Sequence, residues 1–199
     1  MNSTHALAPG LLDGVHDSQQ AFRAVLDALA RPGRACAIGS ALPGVALGGA
    51  MARLLLSLSD DDTPVWWQQA DAGLPHWLRF HTGAPVAPQP DAASFSVLTD
   101  MAQMPLLAEF AIGSAASPEF SCTVFIELAA LTGGPALEWR GPGIETVQRV
   151  GLPGLPGDFW AQWQANHAAF PQGVDIVFTC GDTALGLPRT TRVRRLEGV

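Results

Sequence analysis

Phe170-Pro-Gln-Gly-Val-Asp-Ile-Val-Phe-Thr-Cys-Gly-Asp182, followed by Gly186-Leu-Pro-Arg-Thr-Thr191, is the stretch from which the fold is read. Residues 174–179 are a β-rich run between Pro171 and Gly173 on one side and Gly181-Asp182 on the other. That pattern predicts a strand, a tight turn and a return strand over 184–187. Pro188 has no N–H for a ladder, so the return strand lies at an edge or stops there. Arg189, Thr190 and Thr191 then follow a strand end, where side chains can face a ligand or a partner.

Working outward, residues 121–128 read as a strand, Thr132-Gly-Gly134 as a turn, and residues 136–140 as its hairpin partner. Residues 145–150 suit a further strand, and residues 159–168 an amphipathic helix with Phe159, Trp160 and Trp163 on one side. Nearer the start, Asp17 with Gln20 makes a capping pair for a helix whose Phe22, Val25, Leu26 and Leu29 fall at core spacing. Burying each would contribute roughly 1.5–3 kcal/mol before entropy. Pro32-Gly33 ends that helix. Residues 34–38, 64–67 and 94–98 read as strands, 76–80 as a short helix and 101–110 as another. Residues 45–58 form a helix apolar nearly all round, hence internal; with Arg53, Pro43 and two adjacent glycines nearby, it does not suit a membrane span. Helices and strands alternate early and hairpins dominate late, which predicts an α/β fold, a sandwich with a mixed sheet.

Composition narrows the function. The chain has 199 residues, 15% charged, with net charge −7. One domain that buries roughly 70% of its unfolded surface fits this length. The acidic balance argues against nucleic acid or an anionic membrane as partner. All 11 basic residues are arginines. Without a lysine amine, Schiff-base catalysis, a phosphate-loop nucleotidase and a serine–lysine hydrolase are excluded within this chain, while arginine still allows bidentate anion binding. Cys36, Cys122 and Cys180 are isolated and odd in number, so no disulfide framework is expected. No basic region followed by an apolar run opens the sequence, and a cytoplasmic location is the expectation.

Several groups could carry chemistry, each beside a plainer reading. Asp60, Asp61 and Asp62 could offer oxygens to a hard cation, or close a solvated loop. Arg79 and His81 flank Phe80: on an extended segment they share a face and could bind phosphate and move a proton, whereas on a helix they diverge. His76 and His81 have no metal-pairing spacing, so no metal site is expected. Cys180, beside Gly181 and Asp182, has no local base and reads as a small apolar strand-end residue. Arg189 suits an anion ligand or an interface ion pair, with Thr190 beside it. The glycine pairs at 133–134 and 141–143 are turns, not phosphate loops. No constellation assembles a catalytic residue set.

Taken in order, Phe22-Arg23 through Pro32-Gly33, Leu58-Ser-Asp-Asp-Asp-Thr-Pro-Val-Trp66, Leu78-Arg-Phe-His-Thr82 with Ala84-Pro85, residues 113–119, 131–134, Gly141-Pro-Gly-Ile144 and the opening block form a series. Running from about His16 to Val193, it resembles the PhnH family of the bacterial carbon–phosphorus lyase system. The resemblance implies a three-layer α/β/α sandwich like the large domain of pyridoxal-phosphate (PLP) dependent transferases, without that cofactor. It places residues 16–199 in one domain, after a loosely packed or disordered segment 1–15. It further implies a homodimer that joins the PhnG, PhnI and PhnJ subunits, with PhnL as accessory. The first reaction of that set displaces adenine from ATP with a phosphonate, giving a ribose 1-alkylphosphonate triphosphate. Nucleosidase chemistry belongs there to PhnI, and radical cleavage to PhnJ, whose iron–sulfur cluster needs cysteines that this chain does not offer. The role implied for this chain is architectural or assisting, with Arg79, His81, Arg189, Thr190, Asp60, Asp62 and Asp182 as contact candidates for a partner, or for an anionic nucleotide or phosphonate. The alternative is a stand-alone binding protein or enzyme acting on a phosphorylated small molecule.

Overall fold

The C-terminal hairpin forms the middle of a six-stranded sheet. The structure is a computed structural model, and it describes residues 7–69 and 73–196. The strands are β1 (Ala35–Ala37), β2 (Val65–Trp67), β3 (Phe95–Leu98), β4 (Thr123–Glu127), β7 (Asp175–Cys180) and β8 (Thr183–Leu187), in the order β1-β8-β7-β4-β3-β2. β2, β3, β4 and β7 run parallel, while β8 is antiparallel to both β7 and β1. The sheet is therefore mixed. β7 and β8 join through Gly181-Asp182, with Cys180 opposite Thr183 and Gly181 at φ 57. β8 lies inside the sheet and stops at Leu187, before Pro188.

Each face of the sheet carries its own core. Side chains alternate across the pleat: Val124, Ile126, Ile176 and Phe178 enter one core, and Phe125, Val177, Val97 and Val65 the other. Covering both faces explains why these strands are apolar almost throughout. One face carries α1 (Gly14–Ala30), α2 (Gly49–Leu58) and α3 (Gly73–Thr82). The other face carries α4 (Phe159–Ala168) together with a small antiparallel sheet, β6 (Gln148–Gly151), β5 (Ala136–Arg140) and β9 (Arg192–Arg195), in the order β6-β5-β9. Helices alone were expected on that layer. Instead Leu137, Trp139, Val150 and Val193 of the small sheet share a core with Phe159 and Trp163 of α4.

Further sequence expectations change. α1 starts at Gly14 rather than near Asp17, because Asp13 caps it: its Oδ1 accepts from the Val15 and His16 amides at 3.2 and 3.0 Å. Within α1 the buried positions are Ala21, Val25 and Ala28, while Phe22 and Leu26 are 49% and 47% exposed. Small residues face the sheet because α1 lies close over β8, and a Cβ at Gly186 would meet the Ala28 carbonyl oxygen at 2.6 Å. Residues 101–110 are two single 3-10 turns, Met101–Gln103 and Leu107–Glu109, not a helix. Pro105 disfavours helical backbone at Met104, which is extended at φ −63 and ψ 126. Finally, β4 is flanked by parallel β3 and β7, so no edge is left for a hairpin with β5. β5 instead crosses to the second layer and pairs with β6 and β9.

The start of the chain is held in part. The Trp77 Nε1–H donates to the Pro9 carbonyl at 3.3 Å, and His81 Nε2 lies 3.1 Å from the Ala8 carbonyl oxygen. Of residues 1–15, expected to pack loosely, 1–6 lie outside the described residues, and Asp13 to Val15 cap and open α1.

Candidate functional site

Arg189 is committed to the interior. Its Nε lies 3.2 Å from both Asp175 carboxylate oxygens, and its Nη2 lies 2.5 Å from Oδ2. Nη2 also donates to the Ser121 hydroxyl, and Nη1 donates to the Pro118 and Pro171 carbonyls at 3.1 and 3.2 Å. The Arg189 backbone N–H binds Asp175 Oδ1 at 2.7 Å. All five guanidinium donors are thus engaged, tying the start of β7 to the loops before β4 and after α4. Thr190 is half-buried in the following turn and lines a shallow 360 Å³ hollow with Asp175, Phe170 and Arg189.

Asp60 and Asp62 lie in the loop between α2 and β2. Asp60 Oδ1 accepts from the Asp62 amide at 3.1 Å and the Thr63 hydroxyl at 2.9 Å, and Thr63 Oγ1 accepts from the Asp60 amide at 2.6 Å. The loop closes on itself through Asp60 and Thr63. Arg79 and His81 sit in the last turn of α3, two residues apart on a helix, so their side chains diverge. His81 rests against Trp77 and Phe80 and holds the Ala8 carbonyl, while Arg79 is exposed and makes no ion pair among the described residues. Among the described residues, no three His, Cys, Asp or Glu side chains cluster to hold a metal ion. No helix among them is long and apolar enough to cross a membrane.

Asp182 lies at the other end of the sheet. Its carbonyl accepts from the Ile38 and Gly39 amides at 2.8 and 3.2 Å, and its carboxylate accepts from the Thr183 hydroxyl at 3.0 Å. Cys180, one turn away, points its thiol at the Ala129 carbonyl at 3.3 Å. At this same end the structure adds a residue that the sequence reading missed. Glu127 closes β4 and receives the Gly48 N–H on Oε1 at 2.6 Å, capping α2 in place of a side chain from its own N-terminus. A Cβ at Gly48 would overlap that carboxylate, and a Cβ at Gly49 would collide with the Gly39–Ser40 backbone. Burial pushes the Glu127 carboxyl above its ordinary 4.5, outweighing the amide hydrogen bond that pulls it down. The available signal was a lone carboxylate ending an otherwise apolar strand, Val124-Phe-Ile-Glu127.

Glu127 borders a cavity of about 510 Å³ at the carboxyl ends of β3 and β4, with Gln69, Thr99, Asp100, Met101 and Leu128 among its walls. Gln68, at the end of β2, braces this rim. Its Oε1 accepts from the Thr99 and Asp100 amides at 3.0 and 2.8 Å, and its Nε2 donates to the Asp100 and Gln103 carbonyls at 2.7 and 3.0 Å. Asp100 is fixed in turn by the Ala102 amide at 3.0 Å and by Gln103 Nε2 at 3.1 Å. Thus Asp182 and Glu127 lie at the carboxyl end of the parallel strands, while Arg189, Asp60 and Asp62 lie at the amino end. The candidates do not converge.

Comparison with known proteins agrees with the ordered blocks. The family described as "Bacterial phosphonate metabolism protein (PhnH)" matches residues 9–194. The chain is 40% identical over 186 residues to the alpha-D-ribose 1-methylphosphonate 5-triphosphate synthase subunit PhnH of Rhizobium meliloti (strain 1021), covering 92% of this chain and 93% of that protein. It is 35% identical over 82 residues to HtxG of Stutzerimonas stutzeri, provisionally named a C-P lyase subunit protein, covering 41% of this chain and 42% of that one. From the matched span and the identity across it, the chain belongs to the PhnH family of bacterial phosphonate metabolism proteins.

Proposed function

We propose that this protein is a subunit of the carbon–phosphorus lyase core complex, the assembly that makes alpha-D-ribose 1-methylphosphonate 5-triphosphate in phosphonate catabolism. The single observation that carries the reading is the 40% identity to such a subunit along nearly the whole length of both chains. The role is architectural or assisting. In support, Arg189, Asp60 and Asp182 are taken up by internal hydrogen bonds, and the candidates lie at opposite ends of the sheet. In a cytoplasmic setting the chain forms a homodimer and binds the PhnG, PhnI and PhnJ subunits.

Two apolar surfaces support this assembly. On α1, Val15, Phe22 and Leu26 are 72%, 49% and 47% exposed and follow one another at spacings of seven and four, on one helix face. On the opposite face of the sheet, Leu106 and Ile112 are exposed beside α4, and Phe170 is exposed just after it. Exposed apolar patches of this kind are usual at protein interfaces. Placed on opposite faces, they allow a self-contact and a contact with another subunit at once. Arg79, exposed on α3, is a contact candidate for an acidic partner surface, and Thr190 and His81 remain candidates at its end of the sheet. We also infer a kinship with the large domain of PLP-dependent transferases, supported by parallel strands flanked by a single antiparallel one, β8. Without a lysine, the chain itself forms no internal Schiff base with that cofactor.

A growth assay tests the function. A strain deleted for its own member of the family, supplied with this chain and methylphosphonate as sole phosphorus source, is expected to grow. Failure to grow, with the chain expressed and soluble, contradicts the reading.

A further inference from the structure

Open α/β sheets take ligands in the crevice beyond the carboxyl ends of their parallel strands. Here that position is the 510 Å³ cavity beyond β3 and β4, within the size range of small-molecule sites. We propose that this cavity binds the ribosyl group of a nucleoside-like ligand, with Glu127 and Asp100 accepting from its vicinal hydroxyls. The inference rests on the reading of the chain as a subunit of a ribosyl-triphosphate synthase, and it assigns a site within this chain to the sugar.

The cavity's own chemistry selects that class. Its charged groups are carboxylates, and among the described lining residues there is no arginine or histidine, so phosphate is repelled. Carboxylates accept hydrogen bonds and do not donate them when ionised, so the ligand must bring donors. Glu127 keeps an oxygen available: Oε1 takes the Gly48 amide, and among the described residues no hydrogen bond reaches Oε2. Asp100 is held by Ala102, Gln103 and Gln69, which fixes its carboxylate in the cavity wall. Thr99 and Gln69 add neutral groups, and Met101, Leu128 and Pro153 form an apolar wall on which a flat ring can lie. A carboxylate on ribose hydroxyls is the arrangement that dinucleotide-binding α/β folds use. The anionic end of a nucleotide would then point out of the cavity, toward partner subunits.

The test is equilibrium binding of adenosine to the full-length chain, by titration calorimetry or ligand-observed NMR, with 2′,3′-dideoxyadenosine as the control. Adenosine is expected to bind at least ten-fold more tightly than the dideoxy compound, and inorganic triphosphate is expected not to compete. Glu127→Gln keeps an oxygen for the Gly48 amide and is expected to weaken adenosine at least ten-fold with the fold retained by circular dichroism. Met101→Trp, which fills the cavity and leaves Glu127 itself unchanged, is expected to abolish binding and keeps the test decisive should the Gln variant unfold. No adenosine binding at millimolar concentration, equal binding of the dideoxy compound, competition by triphosphate or unchanged binding in Met101→Trp each overturns the proposal. No adenosine binding by the parent chain, with normal growth on methylphosphonate, would sink this inference alone. Failed growth with binding intact would sink the functional reading instead.

Discussion

Arg189 shows how a residue suited to an anion can be consumed by the fold. Its pair with Asp175 is mostly shielded, with side chains 12% and 25% exposed, and all its donors are used. Arg189→Ala leaves a shielded carboxylate and two carbonyls unpaired, and should cost roughly 2–4 kcal/mol. In a chain of this size that lowers Tm by about 4–16 °C, measured by thermal melts of the isolated protein. Glu127 makes the second residue-scale prediction. Its folded pKa lies above 4.5, so the native state holds the proton more tightly than the unfolded chain. Glu127 therefore favours the fold at acid pH and weighs against it as pH rises from about 4.5 through the raised value. The stability of Glu127→Gln relative to the parent should grow across that interval in denaturant titrations; a difference that shrinks would contradict the assignment. Cys122, fully buried, has its thiol pushed up to about 12 by burial, with a contact to Ser96 opposing. It should resist iodoacetamide at pH 8 until the protein unfolds, as peptide mass spectrometry would report.

The elements separate what the sequence made legible from what it did not. The β7–β8 hairpin and the bounds of α4 follow from local signals: a two-residue Gly-Asp turn between apolar runs, and aromatic residues at helical spacing. The face of α1 was read in part: Val25 is buried and Leu29 partly so, but Phe22 and Leu26 are exposed, and close approach to Gly186 favours a small residue at Ala28. Strand partners for β5 could not be read, since pairing across residues 136–195 is a long-range choice. The carboxyl-end cavity was missed because Glu127 carries no motif; its meaning arises only when β4, α2 and the β3 turn meet. The exposed face of α1 supplies a prediction at this scale. Phe22→Glu and Leu26→Glu should change the stability of the isolated chain by about 1 kcal/mol or less, because both side chains are half-exposed. Yet, on the proposed homodimer with α1 at its contact, the pair should shift the protein from dimer to monomer in sedimentation velocity. A dimer that persists would remove α1 from the self-contact.

At the scale of the molecule, one sheet with two differently built faces separates three surface features. The α1–α3 face exposes one apolar stripe, the α4 face exposes another, and the carboxyl edge of the sheet holds a polar cavity. The proposed role, a subunit that joins neighbours and positions a ligand, calls for such a division, whereas a free-standing catalyst would need its reactive groups together. The direct test is co-expression of the tagged chain with the PhnG, PhnI and PhnJ subunits of its own organism, with stoichiometry read by native mass spectrometry. The account predicts a stable assembly containing this chain in equal number with its partners. A lone homodimer under those conditions would contradict it.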